Sequence, residues 1–353
     1  MFRSLRYIRT MIITVFAISL AASFAAIGPV GLSPKDEGPS LKGATDWLNA
    51  RPLDLTALRG KVVLIDFWTY TCINWRRTLP YIREWASKYK DQGLVVIGVH
   101  TPEFSFEERT ENIKKAMKQM GIDYPVAIDT DYDIWESFQN RYWPALYLIN
   151  ANGVIRYQKF GEGDYYESEL MIQKLLKENS AQNVPTTTVN VKPEGFEAAA
   201  DWRTVKSPEN YLGYGNTQGF ASASGIIADK RMLYAVPAKL ELNQWALSGE
   251  WIIEKEKVVL SGKEGKLVYR FHARDVNLIM GLAGKGTALK FHILIDGKAP
   301  GSAHGLDIDA DGNGTITEPR MYQLIRQQDT IIDREFEIEF FDPKVEIYDF
   351  TFG

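Results

Sequence analysis

The chain has 353 residues, 45% hydrophobic and 24% charged, with a formal net charge of −4. That length predicts two domains, each with enough apolar residues for a core. The slight acidity and the lack of any long basic run exclude a nucleic-acid binder, and a single cysteine, Cys72, excludes an internal disulfide.

Arg3, Arg6 and Arg9 precede a mostly apolar run from Met11 to Ile27, with no further charge until Lys35. This is the layout of an export signal, with Ser23-Phe24-Ala25 as a plausible cleavage site. The run also approaches the roughly 20 residues that span a bilayer, so residues 1–27 are expected to be a signal peptide or a retained membrane anchor. Either way the rest is exported, to a periplasmic or other extracytoplasmic space. An odd cysteine in an exported chain points to a reactive thiol or an intermolecular bond.

Next, the continuous apolar run Val62 to Ile65 predicts a buried strand over 61–67, and 78–89 reads as a helix carrying Ile82, Trp85 and Tyr89 at helical spacing. A second buried strand is expected at 94–99, a charged amphipathic helix at 105–120, a short strand at 124–128 and a short helix at 132–138. Pro144 opens a strand at 145–149. Asn152-Gly153 signals a hairpin returning through 154–160, and a helix closes the unit at 167–179. The order β-α-β-α-β-α-β-β-α implies parallel strands with helices on both faces and a terminal antiparallel hairpin. Residues 179–206, with Pro185-Thr186-Thr187-Thr188-Val189, read as an extended linker. Short strands and turns follow: 251–260, 265–273, 276–281, 289–295, 315–317, 322–326, 334–340 and 345–352, the pattern of an antiparallel sandwich.

Chemistry centres on Asp66-Phe67-Trp68-Thr69-Tyr70-Thr71-Cys72-Ile73-Asn74-Trp75, where a strand runs into a turn and a helix opens at the cysteine. A helix N-terminus offers unpaired N–H groups and positive potential, so the Cys72 pKa is expected to fall, with Arg76 and Arg77 adding to the effect. Asp66, on the buried strand, is the candidate acid to accept and return the thiol proton. Trp75 stands where a second cysteine would close a C-x-x-C pair.

These residues resemble the thioredoxin superfamily, in particular its exported DipZ/TlpA-like branch. Trp68 to Asn74 is similar to that branch's active-site run, Asp66 to the buried acid, Pro80 to the helix proline, Trp143-Pro144 to the cis-proline loop and Gly161 to the glycine after the hairpin. Val99 to Phe104 is similar as well, and the resemblance covers 41–178. It implies a thioredoxin-like α/β domain with Cys72 as nucleophile, Trp143 and Pro144 facing substrate, and a cis bond before Pro144. Tyr70 and Trp75 join Trp143 as candidate substrate-binding aromatics, and Glu103 is a candidate neighbour of the site. Residues 207–353 resemble the DipZ C-terminal domain through Gly213 to Asn216, Leu242 to Gly249, Tyr269 to Arg274, Ala303 to Gly305 and Tyr348 to Gly353. This implies an all-β jelly-roll sandwich similar to carbohydrate-binding modules.

Tryptophan cannot resolve a mixed disulfide, so the expected activity is monothiol exchange. Cys72 attacks a disulfide and an external thiol resolves the adduct. The alternatives are a redox-inactive binder of an exported partner and a one-cysteine peroxidase. Partners are then an exported thiol or disulfide protein and a separate reductant, and no cofactor is expected. In the second domain, Asp307, Asp309, Asp311, Asn313 and Glu318 approximate a calcium loop, against a plain hairpin turn with Asn313-Gly314 at its tip. Carbohydrate, stacked on Trp245 or Trp251, rests on fold analogy alone.

Overall fold

A computed structural model describes residues 39–284, 288–328 and 330–353. The expected signal or anchor, 1–27, lies outside the described residues. Among those described, no helix is long and apolar enough to cross a membrane.

The first half is built on a six-stranded sheet. Strand β1 is Asp46–Leu48, β2 Val62–Trp68, β3 Leu94–His100, β4 Val126–Ile128, β5 Ala145–Ile149 and β6 Ile155–Phe160, in the order β1-β4-β3-β2-β5-β6. Strands β2, β3 and β4 run parallel, while β5 and β6 add the antiparallel hairpin. Helix α1 is Ile73–Lys88, α2 Thr110–Gln119, α3 Asp133–Ser137 and α4 Tyr165–Glu178. Side chains alternate across each strand. Val62, Leu64 and Trp68 therefore pack in one core with α1, α2 and α4, and Val63, Ile65 and Phe67 in another with Ile134 of α3. Asp66 shares the parity of Leu64 and Trp68, which aims it at the face that α1 covers.

The elements depart from the expected order in two places. Edge strand β1 has only three residues and carries no periodic signal. The helix expected over 105–120 breaks at Arg109 into a 3-10 turn, Ser105–Glu108, and α2. The Glu107 carboxylate bends back to accept the backbone N–H groups of Glu103 (2.9 Å) and Phe104 (3.0 Å), capping the turn.

The second half is one curled antiparallel sheet of ten strands. After β7 (Asn210–Tyr211) and β8 (Arg231–Tyr234) come β9 (Trp245–Ile253), β10 (Val258–Phe271), β11 (Asp275–Leu282) and β12 (Leu289–Ile295). Then follow β13 (Asn313–Ile316), β14 (Arg320–Arg326), β15 (Arg334–Phe340) and β16 (Val345–Phe352). The long β10 pairs with β9, β15 and β16, and its register with β9 shifts between Leu260 and Gly265. A bulge of this kind bends a strand, so one strand serves both layers of a folded-over sheet. The reading of 251–260 as one strand is corrected: a turn at 254–257 divides β9 from β10. Trp245 and Trp251 are fully buried, so neither offers a ring to a sugar.

The two halves are not held apart by a free linker. Val184, Val189 and Phe196 pack on the first core, and Val189 N–H donates to Glu169 (2.8 Å). Arg83 pairs with Glu197 at 2.8 Å. Ile279, Met321 and Tyr348 of the second half enter the first half's core. Tyr348 meets Phe104 and Phe106 edge-on, at centroid distances of 5.2 and 4.9 Å, a geometry aromatic pairs favour.

Candidate active site

The chain leaves β2 at Trp68, turns through Thr69 to Thr71 and enters α1 with Cys72 as the N-cap residue. Pairing of Phe67 with Ala145 puts the Trp143–Pro144 loop at the same end of the sheet. The Trp143–Pro144 peptide is cis. Pro144 is buried and Trp143 half-buried against Trp135.

Trp75 fills the space beneath the cysteine. Its indole is fully buried, stacks on Trp68 (4.3 Å between centroids, 22° between planes) and donates its N–H to Asp66 Oδ2 at 3.0 Å. Burial pushes the Asp66 carboxyl up to about 7, the Trp75 N–H pulling the other way, and its second oxygen has no partner. His100 lies edge-on to Trp68 and stacked with Tyr70. Burial lowers its pKa to about 3, which keeps it neutral.

Three expectations are corrected. The Cys72 thiol is buried, and its pKa is raised well above the free-thiol value, not lowered. Burial dominates, the Glu103 and Glu209 carboxylates add to it, and the N–H groups of Trp75 and Asn74 oppose it without winning. The arginines are engaged elsewhere and do not lower the thiol pKa as expected. Arg77 is paired with Glu162 at 3.0 Å, and the Arg76 guanidinium lies over the Phe196 ring at 4.6 Å. Trp75 and Tyr70 are core side chains, so of the three candidate docking aromatics only Trp143 is partly open.

Two carboxylates carry more of the site than the sequence reading assigned. Glu107, fully buried, accepts the Thr71 hydroxyl (2.7 Å) and N–H (3.2 Å) on one oxygen and the Glu103 and Phe104 N–H groups on the other. It ties the loop before Cys72 to the loop after β3. Glu103 itself is half-buried and accepts the Tyr211 hydroxyl of the second half. Burial, followed by the charges of Glu209 and Glu107, raises its pKa. Only side-chain placement reveals either role, since the charged pattern of 105–120 predicts plain helix across the turn at 105–108.

The second half covers this face. Tyr70 and Arg76 share a small pocket with Glu318 to Met321. A cleft of 400 Å³ is lined by Glu103, Phe104 and Trp143 together with Tyr211, Gly215, Asn216, Lys255 and Glu256. Ile73 and Asn74 open onto a second cleft, of 610 Å³, walled by Trp202, residues 205–209, Asn243, Thr351 and Phe352.

The calcium loop does not form. Asp307 pairs with Arg320 (2.6 Å) and accepts the Gln323 N–H (2.8 Å), while Asp309 accepts the Asn313 N–H (2.8 Å). Glu318 is drawn away to Lys115 of α2. Asp311 takes no part in any cluster, and among the described residues no group of three or more His, Cys, Asp or Glu side chains is arranged to hold a metal ion. The turn is at 309–312, with Gly312 at φ 92°, and Asn313-Gly314 belong to β13.

Residues 35–158 match the model of the AhpC/TSA family, and 207–353 that of the thioredoxin-like C-terminal domain. The chain is 39% identical over 271 residues to Protein DipZ of Mycobacterium tuberculosis, covering 74% of this chain and 38% of that protein. The thiol-disulfide oxidoreductase YkuV of Bacillus subtilis is 29% identical over 40% of this chain and 94% of its own. The solution structure of a thioredoxin-like protein in its oxidised form is 30% identical, with a TM-score of 0.37, over 40% of this chain and 94% of that one. The chain thus spans under two-fifths of the DipZ length.

Proposed function

Because this chain belongs to the thioredoxin-like superfamily, we propose that it is an exported thiol–disulfide oxidoreductase working through Cys72 alone, with an external thiol as resolving group. The observation that carries the reading is the placement of Cys72 as N-cap of α1, at the sheet end it shares with the Trp143–Pro144 loop. Two carboxyl groups with raised pKa values, Asp66 and Glu103, suit the transfer of a thiol proton near neutral pH. Trp75 supplies no second thiol, so the mixed disulfide must be released by another molecule. The buried thiol is the resting form in this reading. The face that Tyr211 and Tyr348 close must part before a protein disulfide reaches Cys72. Asp66 and Glu103 act as proton acceptors, Trp143 and Pro144 as the substrate-facing pair, and the partner is an exported protein thiol or disulfide.

One observation favours a second reading, a redox-inactive binder: Trp75 is wholly built into the core and uses its N–H to hold Asp66. Iodoacetamide labelling across pH, with Cys72→Ser as control, separates the two. Enzymatic exchange requires the native thiol to label and to capture a disulfide-linked partner from the envelope. A thiol inert throughout the native pH range, with an empty trap, would leave the binder. A sulfenic-acid probe after peroxide treatment tests the one-cysteine peroxidase.

A further inference from the structure

We propose that the 610 Å³ cleft lined by Ile73 and Asn74 is a binding site for a small zwitterionic thiol, a short cysteine-containing peptide with a free carboxylate and a free ammonium group, which serves as the resolving thiol once the covering face parts and exposes Cys72. The proposal rests on the monothiol reading above and names its missing co-reactant. Its basis is position and complementarity. Ile73 and Asn74, the two residues directly after Cys72, form one wall. Lys206 and Glu209 present opposite charges on the facing segment, and both side chains are exposed. Trp202, 60% exposed, together with Val205 and Phe352, gives apolar surface for the methylene arms that flank a sulfur. Thr351, only 3% exposed, lies in the wall with its hydroxyl unpartnered. The volume falls within the roughly 300–1,000 Å³ typical of small-ligand sites, enough for two or three residues and far more than a lone water.

Charge placement also links binding to chemistry. Glu209 is one of the carboxylates that disfavour the Cys72 thiolate. A ligand ammonium paired with it neutralises that charge, so the thiol ionises more readily when the resolving thiol is in place. The cycle balances as follows. The Cys72 thiolate attacks a protein disulfide, forming a mixed disulfide and releasing one protein thiolate, which takes up a proton. The bound thiol, as thiolate, displaces the second protein thiol and leaves Cys72 joined to the small molecule. A second copy attacks the small-molecule sulfur, giving its symmetrical disulfide and free Cys72. Two small thiols are oxidised and one protein disulfide is reduced.

The test uses two readouts on the full chain. Cys72→Ser protein is titrated with S-methylglutathione, a zwitterionic thioether that cannot exchange, and binding is followed by calorimetry. Saturable binding is expected, weakened about tenfold by Lys206→Ala or Glu209→Gln through loss of one charge-assisted contact. In parallel, Cys72 adducts of the wild-type chain are timed by intact mass with oxidised glutathione and with uncharged 2-hydroxyethyl disulfide. A preference of about tenfold for the former is expected, falling in both variants. No saturable binding, or binding indifferent to both substitutions, overturns the proposal, as does equal reactivity toward the two disulfides. Cys72 unmodified by either disulfide while S-methylglutathione still binds sinks the monothiol cycle and leaves the cleft a zwitterion site.

Discussion

Replacing Asp66 by asparagine should make stability less sensitive to pH, and the direction follows from the buried carboxyl. Burial raises the Asp66 pKa to about 7 in the folded chain, against 3.8 for a free aspartate carboxyl. Below the lower value both states carry the proton. Between the two, the unfolded chain has released it and the folded chain has not, so stability falls as pH rises and the loss levels off above the folded value. About three pKa units at 1.36 kcal/mol each set a ceiling of about 4 kcal/mol, with about 2–3 kcal/mol of it lost between pH 5 and pH 8. Asparagine retains an oxygen for the Trp75 N–H and cannot ionise. Its amide occupies the side that has no partner in the wild type, at a cost of about 1–3 kcal/mol that does not vary with pH. Urea denaturation at pH 5 and pH 8, at fixed ionic strength, should therefore show Asp66→Asn gaining about 2–3 kcal/mol on the wild type between the two. Glu103, whose pKa is also raised, contributes to both proteins and drops out of the comparison. A stability gap that is the same at both pH values would refute the placement of an ionisable carboxyl in the core beneath Cys72.

Further outcomes follow from neighbouring contacts. Trp75→Ala removes a fully buried indole and its bond to Asp66, and should lower stability by about 4–6 kcal/mol in urea; a loss under 2 kcal/mol would contradict the packing. Glu107→Gln replaces one of two oxygens that accept four hydrogen bonds, and should cost about 2–4 kcal/mol, with faster hydrogen exchange at Thr71 and Phe104 as its local signature. Tyr348→Ala deletes the edge-on contacts to Phe104 and Phe106. Iodoacetamide should then modify Cys72 at least about tenfold faster, since a weakened interface opens more often. Phe336→Leu, inside the second core and not among the residues that enter the first half's core, should destabilise without this acceleration; equal acceleration in both variants would show that Cys72 is reached by global unfolding.

Much of the scaffold was legible because its signals are local. Strands β2, β3 and β5 each open on an apolar run of four or more residues, and the hairpin between β5 and β6 is announced by Asn152-Gly153. What escaped depends on partners distant in sequence. The thiol pKa was expected to fall because N–H groups one turn away were visible, whereas the burial and the Glu209 charge that outweigh them were not. The calcium spacing looked plausible until Arg320 and Lys115, one of them 203 residues from its acid, claimed the carboxylates. Strands β7 and β8, of two and four residues, are too short to show a period and exist because longer neighbours offer edges.

The aromatic contact between Phe104, Phe106 and Tyr348 bears on how such chains diverge. A ring lost on one side leaves a void that only its counterpart can refill, so these positions should vary together among relatives, although more than 200 residues separate them. Recombination that grafts a foreign redox module onto this sheet would break the match at once, leaving an exposed greasy seam that invites aggregation. Inheritance should therefore favour transmission of the pair as a block.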